Sequence, residues 1–320
     1  RIELHEVEEP VFSASRIRVR SVGLCGTDLK IVSGRIPVDL PRIIGHEIGA
    51  EVLLDGGLAP GTPVLVDPGV TCGACPQCRT GRGNICTGGW LLGRDRDGGL
   101  REVMDVPAAQ LHPLPSSVPV ELAPLLQVLA TCIHGQRLLP VAAGASVVVL
   151  GLGVTGLLHL QLARAAGAGR VVGVSRSPGK LELASALGAD AVVRAGGEDE
   201  VERILKETGG GVDVVIECVG STATLARAIE IASIGGAILA YGTIPETEGR
   251  LPFYDLYYKE LVVVHPRSAN AEDFPASIDA VASGRVRVAE LVSDRFPLAR
   301  ATDAMAAARA PGARKVMIDL

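Results

Sequence analysis

The chain contains no uninterrupted apolar run as long as a membrane-spanning helix requires. Its most apolar stretch, residues 138–163, is broken by four glycines, and this pattern favours a buried strand followed by a helix. The first ten residues, RIELHEVEEP, are charged and lack the apolar centre of a secretory signal. We therefore expect a cytoplasmic protein that does not insert into a membrane.

The chain also lacks an excess of basic side chains. Its 31 Lys and Arg residues are outnumbered by 36 Asp and Glu residues, and the formal net charge is −5. A partner bound mainly through a phosphate backbone needs the opposite balance, so a nucleic-acid partner is not expected. Because 320 residues exceed the usual size of one hydrophobic core, we expect two domains.

Four of the seven cysteines are concentrated in CGACPQCRTGRGNIC, residues 72–86. In a reducing compartment, closely spaced cysteines are more often metal ligands than disulfides. Four thiolates complete the coordination of zinc and leave no position for a substrate, which is typical of a structural site. Cys72, Cys75, Cys78 and Cys86 therefore predict a structural zinc lobe at about residues 70–90. Two local disulfides are the alternative interpretation.

The second half of the chain contains a repeated pattern of short apolar runs separated by helical segments. The runs lie at residues 147–150, 171–174, 191–193, 212–216, 237–240 and 261–264. Runs of this kind are typical of parallel strands that are buried on both faces and joined by crossover helices. The pattern predicts a doubly wound α/β domain, the Rossmann arrangement.

The first of these runs leads directly into GLGVTG, residues 151–156. Gly151, Gly153 and Gly156 have the spacing of a dinucleotide-binding turn between a strand and a helix. Gly153 lets a pyrophosphate approach the backbone. A helix is predicted over residues 154–166, and the N–H groups of its first residues, Val154 and Thr155, would bind the phosphates.

The end of the second strand indicates which dinucleotide is bound. An NAD site usually has an acidic residue there, whereas an NADP site often has an arginine for the 2′-phosphate. The sequence VVGVSRSPGK places Ser175 and Arg176 at that point and Lys180 a turn later. We therefore expect NADP to be preferred and NAD to be accepted as well. The alternative is that Arg176 only points to solvent.

The N-terminal part contains a second set of potential metal ligands. GLCGTD places Cys25 between two glycines, and GHE places His46 and Glu47 after an apolar run. One thiolate, one imidazole and a third ligand, with a fourth position open, describe a catalytic zinc. Taken alone, Cys25 would be a small buried apolar residue and His46 a hydrogen-bonded core histidine.

These motifs together resemble the zinc-containing medium-chain alcohol dehydrogenases, the group of the sorbitol, threonine and glucose dehydrogenases. GLCGTD, GHE, the four-cysteine lobe and GLGVTG occur in that family's order over nearly the whole chain. The resemblance implies an α/β protein with a β-rich GroES-like catalytic domain at residues 1–125, a Rossmann domain at 126–264 and a return to the catalytic domain at 265–320.

The resemblance also assigns roles to individual residues. It implies that Cys25 and His46 bind the catalytic zinc, that Glu47 lies beside it, that Thr27 contacts the substrate oxygen, and that Asp28 braces His46. Three places depart from the common pattern, and one of them is the segment at residues 50–63, which is shorter than the usual loop. Gln127 stands where the family usually has a Cys, Glu or Asp ligand, and Lys30 stands where a His often completes the proton relay.

The expected activity is hydride transfer between NAD(P) and a secondary alcohol, polyol or sugar, or the matching ketone or aldehyde. The loop GGWLLGRDRDGG favours a polyol or sugar substrate. Two alternatives are a zinc-free quinone or enone reductase of the same fold and a zinc-ribbon interaction protein. The family also suggests a homodimer or homotetramer, for which the apolar segment ELVVVHP is a candidate contact.

Overall fold

The computed structural model describes residues 2–8, 15–54 and 57–320. The chain folds into two compact units. The first contains the described residues up to Ala130, together with Ala269–Gly284 and Val288–Leu320, and the second contains Thr131–Ser268 and Arg285–Arg287. The expected division into residues 1–125, 126–264 and 265–320 stays a prediction.

The regular elements follow one another as separate strands and short helices. The strands are β1 (Ser15–Gly23), β2 (Glu47–Leu54), β3 (Pro63–Val66), β4 (Gly69–Val70), β5 (Trp90–Leu91), β6 (Val103–Val106), β7 (Leu111–Pro113), β8 (Ser146–Leu150), β9 (Arg170–Ser175), β10 (Ala191–Arg194), β11 (Val212–Glu217), β12 (Ala232–Ala240), β13 (Val262–Val264), β14 (Val292–Pro297) and β15 (Lys315–Asp319). The helices are α1 (Gly26–Val32), α2 (Pro76–Arg79), α3 (Ala123–Leu138), α4 (Val154–Ala165), α5 (Pro178–Ala186), α6 (Glu200–Thr208), α7 (Thr222–Ile231), α8 (Phe253–Tyr258), α9 (Asp273–Ala282) and α10 (Ala301–Ala307).

The first unit is built on a seven-stranded sheet with the order β14-β15-β1-β2-β3-β7, and β6 pairs with β1. Strand β1 shows why the sheet has one buried face, because Ile17 and Val19 are buried and alternate with arginines. Arg16 pairs across the sheet with Asp105 at 2.9 Å. The apolar side chains of β1, β2, β3 and β6 form the main core of this unit.

The second unit is built on a six-stranded sheet with the order β10-β9-β8-β11-β12-β13, and every neighbouring pair is parallel. Val147, Val148 and Val149 of β8 are all 0% exposed, as expected for a strand covered on both faces. Each predicted apolar run contributes to one of these strands, although β12 begins earlier, at Ala232. The predicted doubly wound α/β fold is confirmed.

Within the described residues, no helix has the length and apolar character needed to cross a membrane. The cytoplasmic location stays a prediction.

Candidate active site

The four cysteines of the lobe lie around a single point. Cys75 Sγ is 3.5 Å from Cys78 Sγ and 3.7 Å from Cys86 Sγ, and Cys86 Sγ is 3.4 Å from Cys72 Sγ. These distances are far longer than a disulfide bond of about 2.05 Å. They are close to the edge of about 3.8 Å of a tetrahedron with Zn–S bonds of about 2.3 Å. The donor set therefore fits zinc.

Cys75 and Cys78 show how the closely spaced thiols of the lobe change one another's pKa. Backbone N–H donors of Cys78 and Thr87 lower the pKa of Cys75 to about 5. Burial and the neighbouring thiols Cys75 and Cys86 raise the pKa of Cys78 to about 11. Four simultaneous thiolates therefore require a positive charge between them.

Cys25, His46 and Glu47 form a second group, whose ligand atoms all lie within 4.8 Å of one another. The strand pairing explains this, because the register places Gly23 of β1 opposite Glu47 of β2. Cys25 follows the end of β1, and His46 directly precedes β2. Thiol, imidazole and carboxylate are the groups that zinc uses in sites that keep one position open.

Asp28 joins the two turns that carry these ligands. Its side chain is 0% exposed, and its two oxygens accept hydrogen bonds from Cys25 N at 2.9 Å and Gly45 N at 3.2 Å. Asp28 Oδ1 is also 3.6 Å from His46 Nδ1, which is too long for a hydrogen bond but close enough for charge attraction. Asp28 therefore joins the backbone on both sides of the site. His46 Nδ1 has no hydrogen-bond partner among the described residues, so the expected bracing of the His46 ring by Asp28 stays a prediction.

The electrostatic field around His46 favours a cation. Burial alone lowers the pKa of His46, but the charges of Asp28 and Cys25 outweigh burial and raise it well above the usual value. A field that stabilises a protonated imidazole also stabilises a metal cation at the same place, so the residues present fit zinc here as well.

Glu47 has a partner that sequence analysis missed. Lys315 Nζ donates to Glu47 Oε1 at 2.8 Å, to Glu47 Oε2 at 2.5 Å and to Leu24 O at 3.2 Å. Lys315 is 4% exposed and Glu47 is 2% exposed. The only sequence signal was a lysine at the start of the apolar run KVMI, and that signal does not identify its partner.

The remaining predicted residues lie on two helices. Thr27 and Lys30 are half-buried on α1, three residues apart, and therefore on neighbouring positions of one helix face. Gln127 lies on α3 and is 7% exposed.

The glycine-rich turn has the geometry of a phosphate-binding turn. Gly151 has a φ of +94°, which favours glycine, and a Cβ at Gly156 would lie 1.9 Å from Gly151 O. Gly153, Val154 and Thr155 are half-buried at the start of α4, and a Cβ at Gly153 would meet nothing within 4 Å. The backbone N–H groups at this end of α4 are therefore open to a ligand.

The residues after β9 differ in exposure. Ser175 is 9% exposed and accepts a hydrogen bond from Ser177 N at 3.2 Å. Arg176 is exposed and Lys180 is half-buried.

Comparison with known proteins agrees with this geometry. The zinc-binding dehydrogenase family model matches residues 154–283, and the alcohol dehydrogenase GroES-like domain model matches residues 13–116. Sorbitol dehydrogenase of Bacillus subtilis is 31% identical over 299 residues, which cover 90% of this chain and 84% of that enzyme. The chain belongs to the zinc-binding medium-chain alcohol dehydrogenases.

Two solved structures share the fold of this alcohol dehydrogenase. The structure of a zinc-binding dehydrogenase from Sinorhizobium meliloti, bound to NADP, has a TM-score of 0.92 and 35% sequence identity. The match covers 98% of this chain and 94% of that chain. An Escherichia coli alcohol dehydrogenase complexed with NADH has a TM-score of 0.91 and 28% sequence identity. The match covers 99% of this chain and 96% of that chain. The predicted family, the GroES-like and Rossmann combination and the dehydrogenase class are confirmed.

Removing Lys315 from this dehydrogenase should leave Glu47 buried and unpaired. We expect Lys315→Ala to destabilise the protein by about 3–5 kcal/mol, because breaking one side of a buried ion pair leaves an uncompensated charge. Thermal and urea denaturation would measure the change. Lys206→Ala, at an exposed position on α6, is the control and should change stability little. Equal effects of the two substitutions would contradict a structural role for the Glu47–Lys315 pair.

Proposed function

We propose that the protein oxidises a secondary alcohol group of a polyol or sugar to the ketone, and catalyses the reverse reduction, with NADP as the preferred cofactor. The observation that carries this proposal is the convergence of the Cys25, His46 and Glu47 ligand atoms within 4.8 Å. The substrate class is supported by the 31% identity to a sorbitol dehydrogenase.

Cys25 and His46 would hold the catalytic zinc, and the Cys72, Cys75, Cys78 and Cys86 thiolates would hold the structural one. When bound, the catalytic zinc supplies a Lewis acid for the substrate oxygen, and NADP supplies the hydride acceptor or donor. Glu47 and Gln127 are the further candidate ligands. Because Lys315 binds both oxygens of Glu47, the ion pair would compete with a metal for this carboxylate.

Thr27 and Lys30 would move the proton. In the oxidation, Thr27 Oγ1 would accept the hydroxyl proton of the substrate while it passes its own proton on. The bound cofactor would supply the hydride acceptor, so that ketone, reduced cofactor and one proton result. Lys30, one turn further on α1 and half-buried, would complete the relay by releasing one of its ammonium protons to solvent and taking up the proton that Thr27 passes on.

The residues after β8 and β9 would hold the cofactor. The N–H groups at Gly153, Val154 and Thr155, at the start of α4, would bind the pyrophosphate. Ser175, Arg176 and Lys180 would bind the 2′-phosphate of NADP, because no acidic residue stands at the end of β9 to repel it.

The first test separates the two zinc sites. We expect wild-type protein to contain about two zinc ions per chain and to oxidise a member of a panel of alcohols, polyols and sugars. Cys25→Ala should lose one zinc and all turnover but keep NADPH binding and most of its thermal stability. Elemental analysis, fluorescence titration and thermal denaturation measure these quantities.

Cys78→Ser is the matched comparison. It should also lose one zinc, but its melting temperature should fall, because a closed four-thiolate site contributes to folding. If Cys78→Ser is stable and inactive, the two sites have been exchanged. Wild-type protein without zinc would instead favour the zinc-free reductase.

Gln127→Glu should slow loss of the catalytic zinc to a chelator, since a carboxylate is a better ligand than an amide. Faster loss would exclude Gln127 as a ligand.

The second test concerns cofactor choice. Wild-type kcat/KM should be higher with NADP than with NAD, and Arg176→Ala should weaken NADP binding by roughly tenfold to a hundredfold while leaving NAD binding nearly unchanged. Arg203→Ala, at an exposed position on α6, removes the same charge and should change neither. A higher wild-type kcat/KM with NAD would show that the assignment of Ser175 and Arg176 is wrong.

We also infer that the protein forms at least a homodimer through β13 and α8. Strand β13 is the edge of its sheet, and its Val262 is 53% exposed. Helix α8, which precedes β13 in the chain, exposes Phe253, Tyr254, Tyr257 and Tyr258 by 60–80%. An apolar edge strand without charges is normally covered, and a second copy can pair antiparallel to it across a twofold axis.

The third test measures the mass of the particle in solution. Tyr257→Glu should convert the oligomer to monomer, because it places a charge in the centre of this exposed aromatic surface. Leu40→Glu, at a position that is 81% exposed in the first unit, should leave the mass unchanged. Light scattering after size-exclusion chromatography gives both masses. A monomeric wild-type protein, or an unchanged mass for Tyr257→Glu, would contradict this interface.

A further inference from the structure

A surface cavity of the first unit is lined by residues that have no role in either metal site. Its volume is about 320 Å³. One wall is the segment that follows α1, and the other wall is the loop that follows β5. The lining residues are Pro37, Val38, Asp39, Arg42, Arg94 and Asp95. Because most of them are charged, the cavity suits a polar ligand.

The loop wall of the cavity is packed against the turn that carries His46. Gly93 lies so close to Gly45 that a Cβ at Gly93 would be 2.9 Å from Gly45 N. Gly45 directly precedes His46, and its N–H donates to Asp28 Oδ1 at 3.2 Å. Arg94, the residue after Gly93, therefore extends from backbone that contacts the turn of the metal site.

The other wall is connected to the same site at both of its ends. Ile36 N donates to Lys30 O at 3.2 Å, so the chain that enters this wall is bonded to α1. At the other end, Arg42 is followed by His46 four residues later, and their Cα atoms are at most about 14 Å apart. The cavity is therefore near enough to His46 for one chain-like substrate to contact both.

The two arginines of the lining have donors that their carboxylate partners leave unused. Arg94 donates to the two oxygens of Asp95, from Nε at 3.0 Å and from Nη2 at 2.7 Å. Arg42 donates from Nη1 to Asp97 Oδ1 at 3.3 Å. A guanidinium group has five N–H donors, and neither Arg94 Nη1 nor Arg42 Nη2 has a partner among the described residues. These groups are available to the oxygen atoms of a ligand.

The charges that line the cavity cancel. Hydrogen bonds from Arg94, with a smaller contribution from the charge of Arg42, hold the pKa of Asp95 below its usual range. Asp39 is the second carboxylate of the lining, so two cations are balanced by two anions. A lining without net charge does not select an anionic substrate, but it offers both donors and acceptors. A hydroxyl group both donates and accepts hydrogen bonds, so the lining fits an uncharged polyol better than a sugar acid or a sugar phosphate.

We propose that this cavity is the subsite for those hydroxyl groups of an uncharged polyol that lie away from the reacting carbon, and that Arg42 and Arg94 determine this specificity. The inference rests on the proposed function and narrows its substrate class. The guanidinium groups donate to the remote hydroxyl oxygens, and the carboxylates of Asp39 and Asp95 accept the hydroxyl protons. A short alcohol contacts the metal site without occupying the cavity.

The test compares substrates that occupy the cavity with substrates that do not. In zinc-loaded protein at saturating cofactor, kcat/KM is measured for the hexitols sorbitol, mannitol and galactitol, for gluconate and galactonate, and for 2-butanol. Wild-type kcat/KM should be higher for the best hexitol than for either sugar acid or for 2-butanol. Arg42→Gln and Arg94→Gln should each lower the hexitol value by roughly tenfold, the effect of one lost hydrogen bond to a charged group, and leave the 2-butanol value within about twofold.

Two controls make the result specific. Arg96 lies on the same loop, is exposed and is not a lining residue, so Arg96→Gln should change none of these values. Arg94→Lys keeps a charge and donors, and it should retain more hexitol activity than Arg94→Gln. If Arg42→Gln fails to fold, the Arg94 variants carry the same comparison, since the Arg94–Asp95 pair is a surface contact within one loop.

Three results would overturn the inference. A wild-type kcat/KM that is higher for a sugar acid than for every hexitol would show that the cavity selects an anion. Equal losses for the hexitol and for 2-butanol would indicate a general structural role, and unchanged hexitol kinetics in both Gln variants would exclude the subsite. A failure of the proposed function is distinguishable, because the wild-type protein would then oxidise none of these alcohols.

Discussion

The carboxylate of Asp28 is the constraint on which the metal site depends. It is fully buried and accepts hydrogen bonds from the backbone of Cys25 and of Gly45. These two contacts fix, from a single side chain, the end of β1 that presents the thiol and the turn that presents the imidazole. Although burial favours the neutral acid, His46 and the two N–H donors lower the pKa of Asp28. The ionised group therefore contributes orientation and negative charge beside the metal ligands.

A second buried charge, Lys315, connects this site to the C-terminal strand. Strand β15 pairs antiparallel with β1, with Met317 opposite Gly23, which brings Lys315 to Glu47 across 268 residues of sequence. All three donors of the ammonium group have acceptors, so the pair is compatible with burial. Glu47 is consequently held next to Cys25 and His46 without being committed to a metal. The Lys315 ammonium group thus holds the Glu47 carboxylate near the metal ligands, and one position at the metal can stay open for substrate.

The two units divide the chemistry between them. The first holds four thiols in a closed group and Cys25 and His46 in an open group. Zinc would therefore support folding in the closed site and take part in the reaction in the open site. The second has a glycine-rich turn after β8 and an exposed arginine after β9, which are neighbouring strands of its parallel sheet. In both units the backbone orients the binding groups before a ligand is bound, and charged side chains then stabilise the bound ligand.

The sequence by itself determined the family, the doubly wound sheet and the grouping of the four cysteines. These features are encoded locally: Cys72, Cys75, Cys78 and Cys86 lie close together in the chain, and GLGVTG directly follows its strand. Only the tertiary structure decided that Lys315 pairs with Glu47 and that Asp28 binds the backbone of Gly45. Those pairs are created by strand register and helix packing. Sequence patterns report which face of an element is buried, but they do not report which distant residue is buried against it.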